Sequence, residues 1–377
     1  MGIGGTGRAE GRGLKCGRRT DDLDMKSQRR VTMQEVARAA GVHQTTVSLA
    51  LRNDPRLPAE TRARLQKVAR EMGYTPDPML AALNAYRGAK RGIGAPVTMA
   101  FVLDLKDRRE LAALYPHRMF LEGARERAQE IGYKLEVFYL ASHTDAAVAR
   151  LERTLRARGI TGVILGAFVD REISFQMAWE HFSVVLIESE QLNLALHMVA
   201  NHQLMVTRMA VRRLRELGYR RVGIAVGARE EFYLQQAFTA GYFVELAQPP
   251  ELPRLPPCLL APAPFSKIGS TVLSWVRANE IDAVITNWHA VPRMLRQKGL
   301  RVPGDVVVAT LDFSPEEGPN AGMRQNHRVV GQRAVEQLAI LMKTNRRGLV
   351  ASPNHTLIDG EWVDGSDVPP ATTEGYS

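Results

Sequence analysis

Cysteine is scarce: the 377-residue chain holds two, Cys16 and Cys258, far apart and in no CxxC or Cys/His pattern. That excludes a disulfide-stapled framework or a thiolate metal site, and leaves reduced thiols in a cytoplasm as the expectation. Aromatic residues are few as well, at 6%. No apolar run approaches the roughly 18 residues a membrane span requires, so a soluble protein without a membrane partner is expected. The start lacks a charged segment followed by an apolar one, and no secretory leader is read there. Catalytic signatures are missing too. There is no GxxxxGK phosphate loop, no HExxH zinc site and no GxSxG elbow. The nine histidines include no pair at metal-ligand spacing with a third ligand nearby. The expectation is a binding protein, not an enzyme, with no cofactor and no metal.

What the chain does have is apolar residues, 45% of it, and length enough for two or three domains with a large core. It also has an uneven charge. Residues 1–91 carry 18 Lys and Arg against 9 Asp and Glu, while the remaining residues carry 32 against 31. A small basic front end is thus joined to a nearly neutral body. Positive charge concentrated in this way suits a polyanion, and the phosphate backbone of nucleic acid is the commonest one.

Residues 1–30 are rich in Gly and Arg without apolar periodicity, and read as a disordered basic tail. Met25 is an alternative start, since everything recognisable follows it. The run Gly2-Ile3-Gly4-Gly5-Thr6-Gly7 matches GxGxxG in letters only, because no strand precedes it and no helix follows. Residues 31–75 read as three short helices. Thr32 with Glu35 makes a capping box that opens the first, and Gly41 ends it. A second spans Thr45 to Leu51 and breaks at Asn53-Asp54-Pro55. A third runs from about Ala59 to Met72 with Leu65, Val68, Ala69 and Met72 on one face, and stops at Gly73. Residues 76–95 read as a short helix from Pro78 to about Tyr86, N-capped by Asp77, and a linker.

From residue 97 apolar strand-like runs recur at 97–103, 135–140, 160–165, 183–187, 221–226, 282–286 and 305–310. Amphipathic stretches such as 118–131, 145–158, 202–217 and 231–246 lie between them. This alternation predicts parallel sheets with helices on both faces, and so many strands imply two doubly wound lobes over residues 96–362. A ligand then belongs between the lobes, at the carboxyl ends of the strands. Residues 363–377 read as a C-terminal tail, and the chain from Glu361 onward as loop or disordered.

The segment Val36 to Ser48 has helix-turn-helix spacing: a small residue and a Gly turn bring two helices close, and the second opens with polar residues. Free N–H groups and the positive dipole end there suit phosphate, and Gln44 and Thr45 reach base edges in a major groove. An ordinary helical hairpin is the plain alternative.

The run VTMQEVARAAGV…TTVSLALRND…TRARLQKVAREMGYTP, between Val31 and Pro76, closely resembles the head of lactose-repressor (LacI/GalR) family regulators. The resemblance implies a homodimer on double-stranded, pseudopalindromic operator DNA, with Thr32, His43, Gln44, Thr45, Thr46, Ser48, Leu49 and Asn53 at the DNA. It makes residues 78–86 that family's hinge helix, with Leu83 as the leucine that wedges into the minor groove. This chain departs from the pattern at His43, where Ser is usual, at Leu49, often Arg, and at Leu80, usually Ala. Losing the arginine removes a guanine contact and leaves Leu49 suited to a thymine methyl.

Residues 97–362 resemble the periplasmic-binding-protein-like sensor domain of the same family, with local signatures at Leu214–Ile224 and Gly299–Val306. That implies a small-molecule effector, carbohydrate-related, in the cleft. Glu188, Asn287, Asp312 and Gln325 stand at the family's polar ligand positions. Trp288 offers an apolar face for a sugar ring. Phe238 replaces the arginine that grips sugar hydroxyls, so the usual sugars are not expected to be read. The function implied is a transcription regulator, a repressor by the family's habit, with an activator or a ligand-independent regulator as the alternative.

Overall fold

The computed structural model describes residues 31–74, 96–168, 175–188, 192, 194–247, 253–314 and 321–371. The tail with Cys16 and Met25, the expected hinge helix with Leu80 and Leu83, and the linker to residue 95 lie outside them. The chain divides into two units, Met1–Pro78 and Met79–Ser377.

In the first unit α1 (Met33–Ala40) opens on the expected capping box: Glu35 N donates to Thr32 Oγ1, and Glu35 Oε2 accepts from Thr32 N. Gly41 ends it in the left-handed region at φ 66°, which glycine adopts at no steric cost. Helices α2 (Gln44–Leu51) and α3 (Ala59–Glu71) follow. Val36, Ala37, Val47, Ala50, Leu65 and Ala69 are buried between the three. So small a core needs polar ties, and they are present. Gln66 Nε2 donates to Ala50 O at the end of α2, and Arg62 Nη1 to Leu57 O in the loop before α3.

The second unit is built on two six-stranded sheets. The first lobe contains β1 (Thr98–Leu103), β2 (Lys134–Tyr139), β3 (Gly162–Leu165), β4 (Ser183–Ile187) and β5 (His197–Asn201), with α4 (Arg108–Ala113), α5 (Tyr115–Glu130) and α6 (Asp145–Ala157). The second contains α7 (Gln203–Glu216), β6 (Val222–Gly227), α8 (Ala228–Tyr233), α9 (Ala237–Leu246), β7 (Cys258–Leu260), α10 (Phe265–Ala278), β8 (Ala283–Thr286), α11 (Val291–Gln297), β9 (Val307–Thr310) and β10 (Gly322–Arg324). The chain then returns to the first lobe with α12 (His327–Lys343) and β11 (His355–Ile358), and ends in the second with β12 (Glu361–Val363). Strand order is β11-β5-β4-β3-β1-β2, all parallel, and β12-β10-β9-β8-β6-β7, with β12 alone antiparallel.

The seven expected strand runs are all strands, within two or three residues at either end. They read as continuous apolar segments because helices cover both faces of each sheet. Two apolar layers flank the first sheet and two the second. Helices α5 and α12 approach closely where Gly123 faces the Arg328 backbone and Gly331 faces that of Phe120, leaving no room for a Cβ at either.

Two expectations are corrected. The stretch 231–246 is not one helix: Gln235 and Gln236 take φ of 51° and 63° and break it. The cause is Glu231, 3% exposed, whose carboxylate accepts from Phe238 N and Thr239 N and so caps α9 with a side chain from the preceding helix. The C-terminal stretch is not loose from Glu361 onward. It forms β12, buries Val368, and docks as Tyr219 Oη donates to Pro369 O and Ala371 N to Leu217 O.

Candidate nucleic-acid interface and interlobe cleft

The recognition-helix candidate begins one residue earlier than its spacing predicts, at Gln44, because His43 caps it. His43 Nδ1 accepts from Thr45 N at 3.4 Å and lies 2.9 Å from Thr45 Oγ1. An accepting Nδ1 places the neutral ring's proton on Nε2. His43, Gln44 and Thr45 are exposed, while Thr46, Ser48 and Leu49 are half-buried. With 3.6 residues per turn, Gln44, Thr45, Ser48, Leu49 and Arg52 share the face opposite buried Val47 and Ala50. Asn53 follows at φ 56°, exposed. Thr32 spends its hydroxyl on the capping box, bonded to Glu35 at 2.9 Å. Arg52 was not foreseen: Nη2 donates to Ser48 Oγ at 2.9 Å, which sets a guanidinium on the polar face. An arginine one turn beyond the last polar position was the available signal. Arg56 grips Asp54 through both oxygens, and these bonds hold the Asp54 carboxyl well below the usual carboxylate range.

In the body, the polar candidates Glu188, Asn287, Asp312 and Gln325 follow strands and are each bonded to other groups of the protein. Glu188 follows β4 with φ 45°, and its Oε1 accepts from Asn201 N at 2.9 Å and Asn201 Nδ2 at 2.5 Å. Asn201 Nδ2 also lies 3.0 Å from His327 Nδ1, and His327 Nε2 lies 2.9 Å from Asp312 Oδ1. Because Asp312 follows β9 in the second lobe and His327 opens α12 in the first, this chain of side chains joins the lobes. His327 is 3% exposed, its ring edge-on to Phe120. Burial opposes its charged form, but Asp312 and then Glu188 outweigh that and hold its pKa above the ordinary histidine value.

Gln325 is 7% exposed and exchanges hydrogen bonds with Gln203 at 3.0 Å in both directions, while its Nε2 also donates to Leu311 O. Its place is the crossover between the lobes. Asn287 Oδ1 accepts from Gly227 N at 3.1 Å and fixes the entry to α8. The Trp288 indole lies against Gly227, where a side chain would strike it. Phe238 is the clear miss. It is 3% exposed in the core of the second lobe among residues such as Tyr242 and Leu246, so it is not a cleft side chain. Helical periodicity alone did not say which face of that helix looks inward.

Not foreseen at all is an open pocket where β1 and β2 end, lined by Asp104, Lys106, Glu110, Ser142, His143 and Thr144. Applying the strand-end rule to the first two strands would have found it. Among the described residues no group of three His, Cys, Asp or Glu has a metal-binding arrangement, and no helix is long and apolar enough to cross a membrane.

Residues 32–77 match the family described as bacterial regulatory proteins, lacI family. The chain is 28% identical over 195 residues to the HTH-type transcriptional regulator PtxS of Pseudomonas plecoglossicida, covering 51% of this chain and 52% of that one. It is 46% identical over 54 residues to the HTH-type transcriptional repressor CytR of Escherichia coli K12, covering 14% of this chain and 16% of that one. The matched stretch thus spans only about half of the length of PtxS. In three dimensions the chain resembles the transcriptional regulator CelR in complex with cellobiose, with TM-score 0.56 and 20% identity over 90% of this chain and all of that one. Residues 32–77 thus carry the motif of the lacI family of bacterial regulators, and the chain shares the fold of CelR.

Proposed function

We propose that this chain is a sequence-specific DNA-binding transcription regulator, acting as a homodimeric repressor whose operator affinity is set by a small molecule bound between the lobes. The observation that carries the reading is the exposed polar face of α2, opened by the His43 cap and flanked by Arg52. Two such helices in successive major grooves read a pseudopalindrome, Gln44 pairing with adenine and Leu49 packing on a thymine methyl. Thr32, Thr46, Ser48 and Asn53 approach the backbone, and Leu83 at the centre wedges into the minor groove. In the cleft, Glu188, Asp312, Asn287 and Trp288 suit a hydroxyl-rich, carbohydrate-related effector, like the cellobiose bound by CelR. Effector binding shifts the lobes, with a coupling typically of about 1–3 kcal/mol. The domain reading is a tail over 1–30, a head over 31–75, a hinge and linker over 76–95, and a sensor over 96–362. The protein works in the cytoplasm as a binding protein, not an enzyme.

One observation favours a second reading. Glu188, Asp312, Asn287 and Gln325 are all bonded within the protein, as a regulator that works without an effector would have them.

Selection of duplexes from a random pool by the purified protein, at about 0.15 M salt, tests the proposal. An inverted repeat with a fixed centre is the expected product. Salt-sensitive binding with no motif would overturn it. Leu83→Ala is expected to leave the fold intact and weaken specific binding; unchanged affinity for the selected repeat rejects the wedge.

A further inference from the structure

All six strands of the first sheet run the same way, so their first residues share one edge of the lobe. Helix α12 ends at that edge: Ser183 Oγ donates to Arg346 O at 2.7 Å, and Gly348 N to Phe182 O at 3.0 Å, both at the start of β4. This pole is basic. Lys134 opens β2, Lys343 closes α12, and Arg346 and Arg347 follow it. Lys134, Lys343 and Arg346 are exposed and Arg347 is half-buried, and among the described residues none of the four has an ion-pair partner. Acids in the segments around them are already engaged: Glu130 binds Arg127, Glu136 binds Arg158, and Glu180 lies 3.8 Å from His181. Residues 92–377 as a whole carry 32 Lys and Arg against 31 Asp and Glu, so the excess here is local. A helix dipole favours a cation in the last turn, which accounts for Lys343 but not for Lys134, on a strand three spacings from β4. That separation is about 14 Å, a length over which a duplex presents about eight phosphate charges.

We propose that this basic pole of the first lobe is a second DNA-contacting surface: Lys134, Lys343, Arg346 and Arg347 take the phosphate backbone beside the sequence that the head reads. The chain arriving from the head enters the lobe at the same edge, where Val97 O accepts from Lys134 N at 3.0 Å and β1 begins at the next residue. A duplex held by the head is therefore tethered to this pole by a single linker. Tethering makes the second contact intramolecular, so cations that hold a free duplex only weakly add to affinity at an effective concentration near the millimolar range. The contact is electrostatic and blind to sequence: it strengthens the hold on every duplex and sharpens the choice of none. It rests on the DNA-binding reading of α2 and adds to it a surface on the body.

The test uses the full chain and a duplex carrying the selected repeat, with flanks of about 10 base pairs on each side. Lysines are acetylated briefly with an amine-reactive ester, with and without the duplex, at about 0.05 M salt, and read by peptide mass spectrometry. Lys134 and Lys343 are expected to react severalfold more slowly with the duplex present. Lys267 and Lys298, exposed on the second lobe, serve as the reference and are expected not to change. A second measurement combines Lys134→Gln, Lys343→Gln and Arg346→Gln, three exposed positions outside the core. The triple variant is expected to lower the slope of log affinity against log salt by about two to three, equally on the selected repeat and on a scrambled duplex. If the wild type binds the repeat but Lys134 and Lys343 react alike with and without it, or if the variant keeps the wild-type slope, the pole is overturned and the reading of the head stands. Equal protection of Lys267 and Lys298 would mean that the duplex coats the body without preference, and overturns the pole as well. A wild type that binds no duplex overturns both.

Discussion

His43 Nδ1 accepts a hydrogen bond from Thr45 N at 3.4 Å, and so a histidine caps the helix that the proposed function places in the major groove. Capping by serine is the common solution, and a small side chain leaves the helix start open. An imidazole in that place satisfies a free N–H of the first turn and presents its second nitrogen outward. Replacing His43 with Ala is expected to cost about 1 kcal/mol of α2 stability, read as roughly fivefold faster hydrogen exchange in its first turns. His43→Ser is expected to restore that protection. If both variants match the wild type, the cap contributes nothing.

Gln44 and Arg52 lie on one face of α2 but are expected to fail differently. Gln44→Ala should relax preference at one position in each half-site, at about 1–3 kcal/mol against the preferred base. Arg52→Ala should weaken every duplex alike and lower the slope of log affinity against log salt by about one. Titrations of both variants on the selected repeat and on a scrambled duplex, over a range of salt, separate the two roles.

The helical head was legible because its signals are local. Thr32, Glu35 and Gly41 mark the ends of α1 within ten residues, and the buried positions keep a clear period. Apolar strands were legible for the same reason. β5 was not, since polar His197 and Asn201 at its ends leave only Met198, Val199 and Ala200 as an apolar run. β10, β11 and β12 are short and owe their existence to partners far away in sequence. The break at Gln235 likewise depends on where the Glu231 carboxylate ends up. In the body, the family resemblance pointed to Glu188, Asn287 and Asp312, which stand just after strands, whereas His327 shows no pattern: a lone histidine at a helix start meets Asp312 and Asn201 only because the fold brings them to it.

Gly331 of α12 and Gly123 of α5 let two backbones touch, and that contact is testable by adding one methyl group. A Cβ at Gly331 would fall inside the contact distance of the Phe120 carbonyl oxygen, which is backbone and has no rotamer to give. The usual gain in helix propensity from Gly to Ala, about 1 kcal/mol, is therefore outweighed. Gly331→Ala is expected to destabilise the body by about 1–3 kcal/mol, read from denaturant midpoints at unchanged m-value. A variant as stable as the wild type would show that the helices separate at no cost.

Alkaline pH should expose the cost of burying Cys258. Its thiol, 6% exposed on β7, is pushed up from 9.0 to about 11 by burial alone. Below the unfolded-state value both states keep the proton and the thiol contributes no pH dependence. Between that value and about 11 the unfolded chain ionises while the folded one does not, so stability falls as pH rises. At about 1.4 kcal/mol for each pH unit, the loss approaches about 2–3 kcal/mol across the window. Tyr242, buried in the second lobe, is raised by burial as well and adds a loss of the same sign at higher pH. Cys258→Val removes only the thiol's share. Urea unfolding of both chains from about pH 8 to about pH 11 is therefore expected to show the variant losing less stability than the wild type, by about 2 kcal/mol at the upper end. Parallel curves would mean that the thiolate is accommodated in the folded strand, and that water reaches β7.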